Sequence, residues 1–345
     1  MDTIQPPPDS LATFASDRAS TEPAPMPRGL LVADIGGTRA RFALLDAQGN
    51  PHRVRILAVA DYPGPVEAIH TYLGEVGCRQ LQAAAIALAA PVNDEVIRLT
   101  NGSWIFSREE IRSRLGISRL LLLNDFTALA LSLPCLAAAD LRQVGGGTAV
   151  ALASKAVLGP GTGLGVSGLL FDRGHWLALT GEGGHCSLAP ADGREAAILG
   201  LAWRELTHVS AERLLSGTGL PLLNRLIAEV DGRASEALTT AEIVARATAN
   251  EDVQCGAVID TFCAMLGSLA GNLALTLGAQ GGVYVGGGII PRLGERFDQS
   301  PFRARFETKG RFAAYLAAIP TYVMLTPTPA LLGAAHALTE NVDGP

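Results

Sequence analysis

Two short glycine-threonine turns, 125 residues apart, constrain this chain more than any other feature. Leu30 to Ile35 is an apolar run entering Gly36-Gly37-Thr38, after which Ala40, Phe42 and Leu44 alternate on one face. Ala156 to Leu158 likewise enters Gly159-Pro160-Gly161-Thr162-Gly163, and an apolar run through Phe171 follows. Strand, tight turn and strand recur in both places, which predicts two β-hairpins and an internal duplication.

At 345 residues the chain exceeds the size at which a single hydrophobic core stops growing, so duplication predicts two lobes and a cleft. We expect a disordered tail over residues 1–29, a small lobe over 30–140 and a large lobe over 141–345. The chain's end is free to pack back on the small lobe. Within the small lobe, Val54, Ile56 and Ala58 alternate as a third antiparallel strand, and Val66, Ile69, Leu73 and Val76 follow helical spacing. Residues 83–90 read as a buried strand, which makes the order βββαβ. Ser107 and Glu110 have the spacing of a capping box, and the apolar strand 120–123 ends at Asn124 and Asp125. Further on, helices are expected at 195–206, 211–215 and 257–277, and a strand at 282–285 precedes Gly286-Gly287-Gly288.

Two apolar stretches resemble membrane spans only by hydropathy. Residues 120–139 are broken by Asn124, Asp125 and Pro134. Residues 262–279 are uncharged, but Ser268, Asn272 and Thr276 share a helix face beside Gly267 and Gly271. That pattern predicts a helix packed closely between lobes, a candidate hinge. The net charge of −6 and the lack of a basic run argue against nucleic acid and anionic membranes as partners. Cys78, Cys135, Cys186, Cys255 and Cys263 include no CxxC pair and read as buried reduced thiols of a cytoplasmic protein.

A turn of glycine and threonine presents backbone N–H groups and a hydroxyl without obstruction, which suits phosphate oxygens. Asp34, just before the first turn, can hold Mg²⁺ through water. Neither turn contains the lysine of a P-loop, and neither opens a dinucleotide-binding helix. Three polar groups sit in apolar or glycine-rich company. Asn124 and Asp125, at a strand's carboxyl end, are either ligands in a crevice or the N-cap of the next helix. Glu182 and His185, among Gly181, Gly183 and Gly184, are either ligands or a charged surface turn, and His185 with Cys186 is too little for zinc. Glu212, taken alone, reads as a solvated helix residue.

Together, Asp34-Ile-Gly-Gly-Thr38, Leu123-Asn-Asp-Phe-Thr-Ala128, residues 159–165, Gly181-Glu-Gly-Gly-His185, residues 209–213, Ser216-Gly-Thr-Gly219 and residues 281–289 closely resemble the bacterial ATP-dependent glucokinase family. The resemblance implies an α/β, actin-like ATPase (ribonuclease H-like) fold with duplicated βββαβα lobes over an interlobe cleft, commonly as a homodimer. It implies phosphorylation of D-glucose at the 6-hydroxyl by ATP with Mg²⁺, at the entry to glycolysis. By the same resemblance Asp125 is the base, and Asn124, Asp125, Glu182, His185 and Glu212 bind the sugar. Asp34, Ile35, Gly36, Gly37 and Thr38, with Gly161, Thr162 and Gly163, cradle the ATP phosphates, and Gly287 and Gly288 lie against adenosine. A kinase for mannose or glucosamine, or a non-catalytic sugar-sensing regulator, are the alternatives. The related ROK type carries a Cys-rich zinc motif after a similar stretch, and none follows His185. Arg39 stands where relatives often carry asparagine.

The chain's 39 glycines exceed average usage, about 7%, by about 15 residues. Those turns and clusters absorb most of the surplus.

Overall fold

A computed structural model of the chain describes residues 29–100 and 102–340. Apart from Gly29, the tail expected over 1–29 lies outside the described residues. Thirteen strands form two main sheets and a small hairpin among the described residues. The first sheet contains β1 (Gly29–Ile35), β2 (Arg39–Leu45), β3 (Pro51–Ala58), β4 (Leu81–Leu88) and β7 (Arg119–Asn124), while β5 (Val96–Arg98) and β6 (Ile105–Ser107) pair with each other. The second contains β8 (Leu141–Val144), β9 (Lys155–Pro160), β10 (Leu164–Asp172), β11 (His175–Leu179), β12 (Val283–Val285) and β13 (Thr321–Met324).

Spatial order is β3-β2-β1-β4-β7 in one sheet and β11-β10-β9-β12-β13-β8 in the other. In each, three antiparallel strands are followed by two parallel additions; β8 then closes the second sheet antiparallel to β13. The duplicated α/β architecture expected from the two turns is therefore present. The helix Pro65–Val76 follows β3, completing the βββαβ order through β4.

Three apolar clusters set the layers. One, with Phe42, Tyr72, Ile86 and Trp104, fills the outer face of the first sheet. Another, with Phe262, Phe297, Phe302 and Phe306, fills the outer face of the second. The third joins Val32, Ala85 and Leu123 to Val157, Leu169 and Tyr284 through Ala128, Leu131, Leu331 and Ala334. Two helices, Asp125–Ser132 and Pro329–Thr339, thus stand between the sheets and pack against each other.

This placement corrects the reading of the long apolar helix. It spans Val253–Leu277, beginning four residues before expectation because Asp252 caps it by accepting from the N–H groups of Gln254 and Cys255. It lies in the second core, not between the two sheets. Gly267 and Gly271 let it approach the main chain of Phe302 and Phe306 in the neighbouring helix Phe302–Glu307. It is long and apolar enough to cross a bilayer, but two thirds of its most apolar window, 67%, is buried within this protein.

Smaller corrections follow from packing. Val54 and Ile56 are exposed on the edge strand β3, and Leu57 is the residue turned toward the first core. The helix expected over 195–206 is Gly193–Ala202, started by Asp192, whose carboxylate accepts from Glu195 N–H. Ser107 Oγ accepts from Glu110 N–H and starts the helix Arg108–Leu115, as the capping pattern predicts. The cysteines are all unpaired, but only Cys255 and Cys263 are buried; Cys135 and Cys186 are exposed.

Candidate active site

Each hairpin presents its turn at the strand ends where polar residues gather. In the first, Gly36 N–H donates to Arg39 O at 3.0 Å. The last paired residues are Ile35 and Ala40, and behind them Asp34 faces Arg41 across the ladder. Arg41 Nη1 lies 2.8 Å from Asp34 Oδ2. Burial still holds the Asp34 carboxyl above its ordinary range, outweighing the opposing pull of Arg41. Ile35 itself is fully buried in the first core, so only its main chain faces the turn. Thr38 and Arg39 are exposed.

The second turn is one residue shorter. Gly161 N–H donates to Gly163 O at 2.8 Å, and Pro160 pairs with Leu164. The turn is braced from outside: Gly217 N–H donates to Gly161 O at 2.7 Å, and Thr218 Oγ1 donates to Thr162 O at 3.3 Å. The Ser216-Gly-Thr-Gly219 motif thus shapes the turn. Gly287, at φ +80°, lies so close to Pro160 O that a methyl there would collide with it. Gly286 N–H donates to Leu158 O at 2.9 Å, fastening the triple-glycine stretch beside the same hairpin, while Gly288 faces open space.

Asn124 and Asp125 sit where β7 becomes the helix Asp125–Ser132. Asn124 Oδ1 accepts from Phe126 N–H at 2.9 Å and Thr127 N–H at 3.3 Å, so the capping reading holds for this oxygen. Its amide nitrogen donates to Ala90 O at 3.4 Å and has a second proton left to give. Asp125 Oδ1 also accepts from Phe126 N–H at 2.9 Å. Burial, then the neighbouring Asp34 charge, push the Asp125 carboxyl up to about 6, and Glu182 adds to the shift. Three carboxylates therefore share one electrostatic neighbourhood.

Glu182, His185 and Glu212 come together as well. His185 Nε2 stands 4.0 Å from Glu182 Oε2 and 3.9 Å from Glu212 Oε1. Glu212 is not a freely solvated helix residue, because its Oε2 accepts the Leu164 N–H at 2.8 Å beside the second turn. The stretches bearing these groups are tied by the Ala211 N–H to Cys186 O and Leu188 N–H to Val209 O hydrogen bonds, at 2.9 and 3.0 Å. Among the described residues no cluster of His, Cys, Asp and Glu suits a metal held by protein alone.

Sequence reasoning missed the brace at Gly217 and the Leu164 N–H, neither of which leaves a periodic signal. It also missed a cavity of about 430 Å³ beside Ile289, lined by Thr240, Val244, Thr248 and Arg292.

Two ribonuclease H-like halves, each with a glycine hairpin, and a carboxylate where β7 ends in the first of them, define a member of the actin-like ATPase class. Within that class the chain belongs to the glucokinase family, whose model matches residues 31–341. It is 52% identical over 312 residues to a glucokinase of Chromobacterium violaceum, covering 90% of both chains. It is equally 52% identical over 316 residues to one of Aromatoleum aromaticum, covering 91% of this chain and 96% of that one. The crystal structure of a glucokinase from an Antarctic psychrotroph superposes with a TM-score of 0.83 at 36% identity, over 91% of this chain and 100% of the other.

Proposed function

We propose that this chain transfers the terminal phosphoryl group of ATP to the 6-hydroxyl of D-glucose, giving glucose 6-phosphate and ADP. The observation that carries the reading is Asp125: a half-buried carboxylate at the end of β7, sharing its electrostatic surroundings with Asp34 of the first hairpin and with Glu182. Phosphoryl transfer depends mainly on positioning and charge neutralisation, with one group to orient the nucleophile and accept its proton. Asp125 accepts the proton of the sugar 6-hydroxyl as its oxygen bonds to the γ-phosphorus. The bond to the β–γ bridging oxygen breaks, and ADP leaves with that electron pair.

Sugar hydroxyls both donate and accept, so a mixed set of partners suits them. The free proton of the Asn124 amide, Glu212 Oε1, Glu182 and His185 supply that set. The turns at 36–38 and 161–163 give backbone N–H groups to phosphate oxygens, and Gly287 and Gly288 admit the nucleotide close to the main chain. The cavity lined by Val244, Thr248 and Arg292 is where we place the adenine ring. Magnesium enters as part of MgATP. Asp34 fits the ion through water, since Arg41 takes Oδ2 and leaves Oδ1. The residues 30–140 and 141–345 act as small and large lobes in this reading, in a cytoplasmic homodimer; light scattering tests the dimer.

Asp125→Ala should lower kcat by about a thousandfold, within the range for loss of a general base, while glucose still binds. Turnover near wild type would remove the base assignment. ADP release across a hexose panel fixes the substrate: higher kcat/KM with mannose or glucosamine would move it, and no release at all would leave a sugar sensor.

A further inference from the structure

Phe126 follows the proposed base, and no step above uses its ring. Its N–H holds the carboxylate of Asp125 and caps onto Asn124, so its backbone is part of the base's support. The ring lies on the other sheet. A methyl built on Gly165 would run into ring atoms Cγ, Cδ2 and Cε2, and one built on Gly159 would stand 3.0 Å from Cζ. Gly159 and Gly165 are direct partners across the β9–β10 ladder, one pair behind the turn that begins at Gly161. The methyl at Gly159 would also stand 2.9 Å from Gly286 C and Gly287 N. One aromatic side chain therefore reaches from the helix bearing Asp125 to a bare patch of backbone just behind the second phosphate turn.

We propose that Phe126 is a positioning residue that sets the distance between the Asp125 carboxylate and the Gly161–Gly163 turn, with Gly165 as its seat. The helix Asp125–Ser132 grows from the first sheet, and the turn belongs to the second. The ring belongs to the residue next to the base and spans the two. A rigid aromatic face on a glycine pair leaves little freedom for sliding, because the ring atoms are already in close contact with main chain. A misplacement of about 1 Å between base and phosphoryl donor costs on the order of a hundredfold in rate. Sugar affinity in the proposed reading rests on the polar groups of Asn124, Glu182, His185 and Glu212, none of which is the group the ring positions. Losing it should therefore show in kcat and not in glucose binding.

The inference rests on Asp125 being the base, and the two fail separately. Phe126→Ala, Phe126→Leu, Gly165→Ala and the double variant Phe126→Ala/Gly165→Ala would be compared in kcat, glucose Kd by calorimetry, and thermal melting. Phe126→Ala should lower kcat about a hundredfold with glucose Kd within about threefold of wild type. Phe126→Leu, which keeps much of the apolar volume, should recover about tenfold of that loss. Gly165→Ala should lower kcat about tenfold when Phe126 is present and leave it unchanged when the ring is gone, the signature of direct coupling. If Phe126→Ala does not fold, Phe126→Leu and Gly165→Ala decide by the same split between kcat and Kd. Unchanged kcat, equal losses in kcat and glucose binding, or the same Gly165→Ala effect in both backgrounds would overturn the proposal. An inactive Asp125→Ala beside an unimpaired Phe126→Ala would remove only this inference, whereas an active Asp125→Ala would remove the base assignment as well.

Discussion

The two hairpins descend from one plan and differ at the pair behind the turn. In β1–β2 that pair is Asp34 and Arg41, joined at 2.8 Å; in β9–β10 it is Gly159 and Gly165, with no side chain at all. The outgoing strands differ because four residues separate the paired positions Ile35 and Ala40, but three separate Pro160 and Leu164. One copy thus places charge behind its turn. The other clears space, which Phe126 occupies from one side and Gly286 and Gly287 approach from another. Duplication supplied two similar scaffolds, and opposite choices at one ladder position gave them complementary work.

Between the two copies, the larger predicted effect strikes the charged one. Asp34→Asn should lower kcat by roughly a hundredfold, as removal of a group serving transition-state charge does. It should also move the acid limb of kcat/KM downward from near pH 6, because the Asp34 charge raises the Asp125 pKa and its loss lets the base ionise more readily. A limb that stays in place would show that the charged pair does not govern the base. The neutral copy should behave otherwise. Gly287→Ala, colliding with Pro160 O at a positive φ, should raise KM for ATP about tenfold, a change of about 1.4 kcal/mol, and leave the acid limb where it was.

A further effect concerns stability and not turnover. Arg41→Gln leaves Asp34 buried without its partner and should cost about 1–3 kcal/mol at neutral pH, the scale for a half-lost, partly exposed pair. Asp34 already has a folded pKa above its unfolded value, and loss of Arg41 raises it further. Folding is then penalised wherever the unfolded carboxylate is ionised. The deficit should be full at neutral pH and should close as pH falls below about 4, where both states are protonated. Thermal melts of the variant and the parent across pH measure this directly.

The hairpins, the βββαβ order and the strand end at Asn124 were readable because each is a local pattern of turn residues and alternating apolar positions. The long helix was readable in type and misread in place. Its Gly267 and Gly271 announce a close neighbour, but nothing in their spacing says that the neighbour is Phe302–Glu307 and not the other lobe. Glu212 was misread for the same reason, since its partner Leu164 N–H lies 48 residues away in sequence. Gly165 did leave a signal: a glycine inside an apolar strand marks close approach of another group. What it could not name was the visitor.

The helix Pro329–Thr339 packs on the helix that begins at Asp125 and on β1 and β4, and Arg119 Nη1 donates to Leu338 O at 3.0 Å. The strands of the first sheet are therefore covered by a piece of chain made much later, with 219 positions separating Arg119 from Leu338. During synthesis, the inner face of the first sheet and the helix behind the base must wait, with residues such as Val32, Ala85 and Leu123 uncovered, until residue 339 has left the ribosome. A chain stopped a dozen residues short of that point would hold every residue of the proposed chemistry and lack the surface that keeps its base in place.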